Sequence, residues 1–359
     1  MGFLITVSTI ILLCVYAMLK FDQLMSKKNP SIATTEELSA LDDSDRLNLR
    51  DQGLRLAFSA ETFQRETLND TRYIKYLVML FGYRDSEIYE QAIQFHECTQ
   101  ADLDKFAPPS RDAEVVLNDI MSSETQTLYC LDWEKEGDDI TIWGADTGYE
   151  YQRLEITFAP CNFVPYGFEK EYPIPEGCIE DEAAQREYLN SFDMQLYLSD
   201  ERFVQDGYGN ESITASSKFY SKQVSSGQNV WIPGIFKRNI LEDESALLQY
   251  GQQDEKSFHT FTLDSPQPSS WTNFPTKEEP ENYFKYASFD IDLCQDIIKW
   301  NRQTYSVLDF LGDIGGLFEA LQYMGTAVVA PFSSFALKVS LMVGLFTPMK
   351  AKAEGDQST

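Results

Sequence analysis

Two apolar runs, one at each end of the chain, constrain most of what this sequence can fold into. Residues 2–19 (GFLITVSTIILLCVYAML) are uncharged and mostly apolar, and Lys20 closes the run. Residues 314–337 (IGGLFEALQYMGTAVVAPFSSFAL) form a second run with one charge, Glu319, closed by Lys338. About 20 apolar residues in a helix cross roughly 30 Å of hydrocarbon, so each run reads as a membrane span. A cleaved signal peptide is the rival for the first run, because Val15-Tyr16-Ala17 ends in a small residue. No Lys or Arg precedes that run, however, and it is longer than a usual signal core. The expectation is a retained span.

Between the spans the chain is polar and acidic, with 29 Lys and Arg against 57 Asp and Glu and a net charge of −28. That balance makes nucleic acid and anionic lipid head groups poor partners. Yet 43% of the residues are hydrophobic, which argues for a folded domain rather than an acidic coil. The period-two texture of Ile140–Trp143, Leu154–Phe158, Met194–Leu198, Val230–Ile232, Phe258–Phe261 and Phe284–Leu293 predicts antiparallel strands with one buried and one wet face. Residues 60–82 carry Phe63, Leu68, Tyr73, Ile74, Leu77 and Leu80 at spacings near three and four, which predicts a helix. A short helix is expected over 180–189.

The predicted fold class is two transmembrane α-helices flanking a β-rich (α+β) extracytoplasmic domain, antiparallel and sandwich-like. The boundaries are a first transmembrane helix over 1–20, a stalk over 21–58 and a β-rich domain with short helices over 59–303. A second transmembrane helix over 312–338 and a juxtamembrane tail over 339–359 complete the chain.

Five cysteines lie between the spans. Cys161 and Cys178 flank a Gly/Pro-containing loop that can turn back on itself, and are expected to be bridged. Cys98 is expected to pair with Cys130, leaving Cys294 odd. Asn69 and Asn210 head two glycosylation sequons, Asn-Asp-Thr and Asn-Glu-Ser. Cysteines and sequons together place the bulk of the chain outside the cytoplasm, extracellular or lumenal. Lys338, Lys350 and Lys352 favour a cytoplasmic C-terminus.

Catalytic signatures are missing. The chain has no G-x-S-x-G, H-E-x-x-H, C-x-x-C, P-loop or G-x-G-x-x-G pattern, and only two histidines. His96-Glu97-Cys98 offers too few metal ligands and reads as a polar histidine beside a disulfide. Acidic stretches 134–139 and Asp290-Ile-Asp292 lack EF-hand spacing and read as solvated faces. The expectation is a protein that is not an enzyme and needs no metal or cofactor.

The second span carries a stripe. Gly312, Glu319, Thr326 and Ser333 recur every seven residues, with Gly316 and Tyr323 beside them. Seven residues at 100° fall 20° short of two turns, so these positions share one side of the helix. Gly312 and Gly316 make a G-x-x-x-G pair, which lets another helix approach closely in lipid. Two readings stand open: the stripe packs against the chain's own first span, or it faces neighbouring subunits around an axis. Glu319, an ionisable residue inside a span, is the candidate functional group. Either it hydrogen-bonds Thr6 or Thr9 of the first span, or it lines an assembly axis and attracts cations.

Several stretches together resemble a group of two-pass membrane proteins of ciliates and related protists. They are Leu128–Cys130, Thr157–Cys161, Cys178 with the acidic helix after it, Phe192–Leu198, and above all Thr304–Leu317 (TYSVLDFLGDIGGL). The resemblance implies a cytoplasmic segment ahead of the first span, and this chain starts inside that span. The layout is also similar to ER–Golgi cargo receptors and to two-span trimeric channels. The function expected is a binding, receptor or scaffold component partnered by the bilayer and by further subunits. A gated cation channel and a cargo receptor are the alternatives.

Overall fold

The computed structural model describes residues 2–27, 30–38, 46–84, 87–123, 125–132, 140–144, 150–165, 167–168, 170–225, 227–244, 254–268 and 284–346. The acidic run at 134–139 and Lys350 and Lys352 lie outside them.

Two helices and fifteen strands set the frame. Helix α1 (Gly2–Ser26) is followed by β1 (Ser31–Leu38), β2 (Leu47–Asn48), β3 (Leu56–Thr62), β4 (Ile74–Arg84), β5 (Glu87–Ala92) and β6 (Phe95–Glu97). Short helices α2 (Gln100–Leu103) and α3 (Arg111–Ser122) precede β7 (Tyr129–Leu131), β8 (Thr141–Gly144) and β9 (Tyr151–Pro160). Helix α4 (Glu182–Leu189) leads into β10 (Ser191–Phe203), β11 (Ile213–Ser225), β12 (Val230–Glu244), β13 (Asp254–Leu263) and β14 (Gln267–Pro268). Strand β15 (Ala287–Gln303) then runs on to α5 (Val307–Phe346).

The chain divides into two compact units. One, made of residues 32–243 and 254–301, is the β-rich domain. Its larger sheet has the order β13-β12-β15-β9-β4-β5, and its smaller sheet β11-β10-β3-β7-β6. Leu154, Ile156 and Phe158 of β9, Val78 and Leu80 of β4, and Phe289 and Ile291 of β15 point into one core. There they meet Phe58, Phe192, Met194 and Leu196 from the smaller sheet. Alternation explains the choice: every second residue of β9 and β10 is apolar, and the pleat sends that set to one face. The far face of the smaller sheet, with Ala57, Cys130 and Tyr197, is closed by Leu103, Ala113 and Ile120 of α2 and α3.

Two expectations are corrected here. Residues 60–82 form no helix: they are the end of β3, a turn carrying Arg65 at φ 60°, and most of β4. Ile74, Tyr76, Val78 and Leu80 face the core, while Leu77 is also buried on the other face. A strand covered on both faces has no clean period of two, and its apolar run reads equally as a helix. Within 21–58, read as a stalk, the structure instead has the last turn of α1, β1 paired with β15, β2 paired with β8, and the start of β3.

The other unit contains α1 and α5. Both are long and apolar enough to cross a membrane, over Thr6–Ser26 and Val307–Leu345. Two apolar helices at the ends of the chain therefore flank a β-rich domain, the fold class read from the sequence. Helix α5 begins at a capping box, in which Ser306 Oγ accepts from Asp309 N at 3.1 Å and Asp309 Oδ2 accepts from Ser306 N at 3.0 Å. It continues through Pro331 for 40 residues, about 60 Å at 1.5 Å per residue.

Candidate functional site

The side of α5 that meets α1 is not the stripe. Phe310, Asp313, Ile314, Leu317 and Leu321 are the half-buried positions, spaced by three and four. Thr9, Leu13, Tyr16, Ala17 and Lys20 are their counterparts on α1. Lys20 Nζ lies 2.8 Å from Asp313 Oδ2, Tyr305 Oη donates to the same oxygen at 2.7 Å, and Phe21 meets Phe310 edge-on at 6.2 Å. The ammonium also sits 5.0 Å from the Tyr305 ring centroid. A carboxylate, an ammonium and a phenol thus tie the two spans together, and Asp313 of the Gly-Asp-Ile-Gly-Gly-Leu segment acquires a role that sequence alone had not supplied.

Gly312, Gly316, Glu319, Tyr323, Thr326 and Ser333 are all exposed. At 100° per residue this set lies about 180° around α5 from the α1-facing row. A Cβ placed on Gly312 or Gly316 would meet no atom within 4 Å, so the G-x-x-x-G pair packs nothing of this chain. Of the two readings left open, packing against the chain's own first span is overturned. The hydrogen bond from Thr6 or Thr9 to Glu319 is not formed. Thr326 and Ser333 satisfy their hydroxyls on the helix backbone, donating to Gln322 O at 2.8 Å and Ala330 O at 3.0 Å. Glu319 is the polar group of the stripe that the helix does not serve.

In the β-rich domain both expected bridges are present: Cys161–Cys178 with S–S 2.09 Å and Cys98–Cys130 with S–S 2.00 Å. Cys294 is free and half-buried, and Cys14 is free on α1. Asn69 and Asn210 are exposed. His96 Nε2 lies 3.1 Å from Asp102 Oδ2, beside the Cys98 bridge. Among the described residues no three His, Cys, Asp or Glu side chains converge as metal ligands.

Asp290 is a further correction. Read as a solvated residue, it is 4% exposed. Strand register sets it opposite Glu155, itself buried, on the face of the larger sheet turned away from the core. Arg153 Nη2 stands 3.2 Å from Asp290 Oδ2, and Lys285 donates to Glu155 Oε1, which also accepts from Thr157 Oγ1 at 2.6 Å. Burial drives the Glu155 carboxyl upward, but Lys285, Thr157 and Arg153 outweigh it and hold the group below its ordinary value. Asp290 is raised, first by burial and then by the Glu155 charge. Alternation along 153–157 marks a charged face, but which acid meets which base depends on pairing across more than a hundred residues.

A protein-family model described as the uncharacterised 80 kDa protein N-terminal domain matches residues 57–297. No curated protein matches the chain in sequence. Among solved structures, a cryo-EM structure of a proton-activated chloride channel is similar at 10% identity and TM-score 0.33, over 93% of this chain and 97% of that one. The crystal structure of Erv41p is similar at 7% identity and TM-score 0.26, over 75% of this chain and 99% of that one. At these scores neither likeness bears on function. The family match, which runs from β3 into β15 and covers more than half of the chain, does identify it: the chain belongs to the family of the uncharacterised 80 kDa protein N-terminal domain.

Proposed function

We propose that this is a non-enzymatic two-pass membrane component that assembles through the outward stripe of α5 and presents its acidic domain as a binding, receptor or scaffold surface. The observation that carries the reading is the direction of that stripe: glycines, hydroxyls and Glu319 all turn away from α1. Facing lipid, a carboxylate at a helix centre costs at least about 2.5 kcal/mol on insertion scales, and small residues give lipid little to pack against. A helix from another subunit removes both penalties. Gly316→Leu is expected to shift the detergent-solubilised protein from oligomer to monomer in cross-linking and light scattering, while α1–α5 pairing persists through Lys20 and Asp313. A wild-type monomer, or an unaffected Leu variant, overturns the assembly.

Glu319 also favours a second reading, in which the stripes surround a cation path. Bilayer recording separates the two. Glu319→Gln should abolish cation current in a channel without changing subunit number, and a silent wild type leaves the scaffold reading alone.

For sidedness, the two disulfides and the exposed sequon asparagines support a domain outside the cytoplasm. The Asn69→Gln, Asn210→Gln double variant is expected to run faster than wild type from a glycosylating host. Protease added to sealed microsomes should spare the domain. Its complete digestion would reverse the orientation.

A further inference from the structure

Four charges are packed on the outer face of the larger sheet, and they are connected to the loop closed by Cys161–Cys178. Besides holding Glu155, Lys285 Nζ lies 6.0 Å from the ring centroid of Phe163, the first large side chain of that loop. Phe163 is buried with Leu77 of β4 and Ala159 of β9, and Tyr172 packs beside them. Tyr172 Oη donates to Val78 O at 2.7 Å, and Lys75 Nζ donates to Tyr172 O at 3.3 Å. Arg153, on the other flank, lies 5.1 Å from the Phe81 ring centroid while paired with Asp290. Asp290 Oδ1 is buried without a hydrogen-bond partner among the described residues, so this carboxylate is served on one oxygen only.

We propose that Glu155 and Asp290 form a one-proton switch that sets how firmly Phe163 and Tyr172 hold the disulfide-closed loop to the sheet. With both acids ionised, two acids face two bases: Arg153 serves Asp290, and Lys285 serves Glu155 beneath Phe163. With a proton on Asp290, Arg153 loses its partner and passes to Glu155, and Lys285 is released from beneath Phe163. The proton comes from water and no covalent bond between heavy atoms changes.

The surroundings of the pair set where it titrates. From β9 come Arg153 and Glu155, from the segment entering β15 comes Lys285, and from β5 comes Glu90, raised by burial and by Glu155. Strand β4 contributes Lys75, lowered to about 8 by burial. From β12, Lys237 is 3.9 Å from Glu36 of β1, and Asp243 is buried. Asp290 itself is raised to about 7 by burial and by Glu155, so the two carboxyls exchange one proton near neutrality. Since the folded value is the higher one, Asp290 supports the fold fully below its unfolded value near 3.9. That support is lost as pH rises through about 7.

Hydrogen exchange on the full chain in detergent, corrected for intrinsic rates, tests the switch between pH 8 and pH 5.5. Amides of β9, of residues 161–165 and of 170–178 are expected to exchange at least threefold faster on the acid side. Asp290→Asn should show the fast pattern at both pH values. Glu155→Gln removes the like charge and should move the transition to lower pH. Equal protection of wild type at both pH values overturns the switch, as does an unchanged transition in Asp290→Asn. If that variant fails to fold, the wild-type comparison and the shift in Glu155→Gln still decide.

Discussion

Lys285→Met is expected to destabilise the β-rich domain by about 3–5 kcal/mol, because it leaves the buried Glu155 carboxylate without its ammonium. A desolvated ion pair adds little net stability, but removing one partner exposes the full cost of burying the other. For a domain of this size the loss corresponds to a fall in Tm of roughly 6–20 °C. Near-UV circular dichroism of the purified full chain, melted at pH 8, reads it directly. The Glu155→Gln, Lys285→Met double variant should recover most of the loss, since no buried charge is then stranded there. A single variant that melts within a degree or two of wild type would mean that water reaches Glu155.

The Cys98→Ala, Cys130→Ala variant has a comparable expected effect for a different reason. Its bridge closes a sequence separation of 32, which the chain-entropy description values at about 3–4 kcal/mol. The strands it joins are short: β6 and β7 pair over only three residues, and Cys130 is buried beneath α2 and α3. Without the bridge that edge has little else to hold it, so α3 should lose protection in hydrogen exchange and Tm should fall by about 10 °C. Unchanged protection of α3 would show that the apolar contacts of Leu103, Ala113 and Ile120 suffice.

Features that depend on neighbouring residues were legible in the sequence. The two spans, the alternation of β9 and β10 and the bridge from Cys161 to Cys178 all arise within a window of about 25 residues. What failed was whatever needed a distant partner. Strand β4 lost its period of two because the loop at 163–172 covers its second face. Asp290 looked wet because its neighbours Glu155 and Lys285 act on it only once β15 lies beside β9. The stripe on α5 was visible, but its direction required knowing that Lys20 and Asp313 fix α1 to the opposite side.

The pairing of β15 with β9, and of β1 with β15, also sets a timetable for biosynthesis. Glu155 emerges 130 residues before Lys285, an interval of roughly 7–26 s at ordinary elongation rates of 5–20 residues per second. Strand β1 waits longer still. Throughout that time β9 offers an unpaired edge and an unmatched carboxylate, and its completing strand arrives immediately before α5 is due to enter the membrane. Misfolding risk is therefore concentrated in one late step. A nascent chain stalled short of residue 285 would keep an adhesive edge available to other unfinished chains.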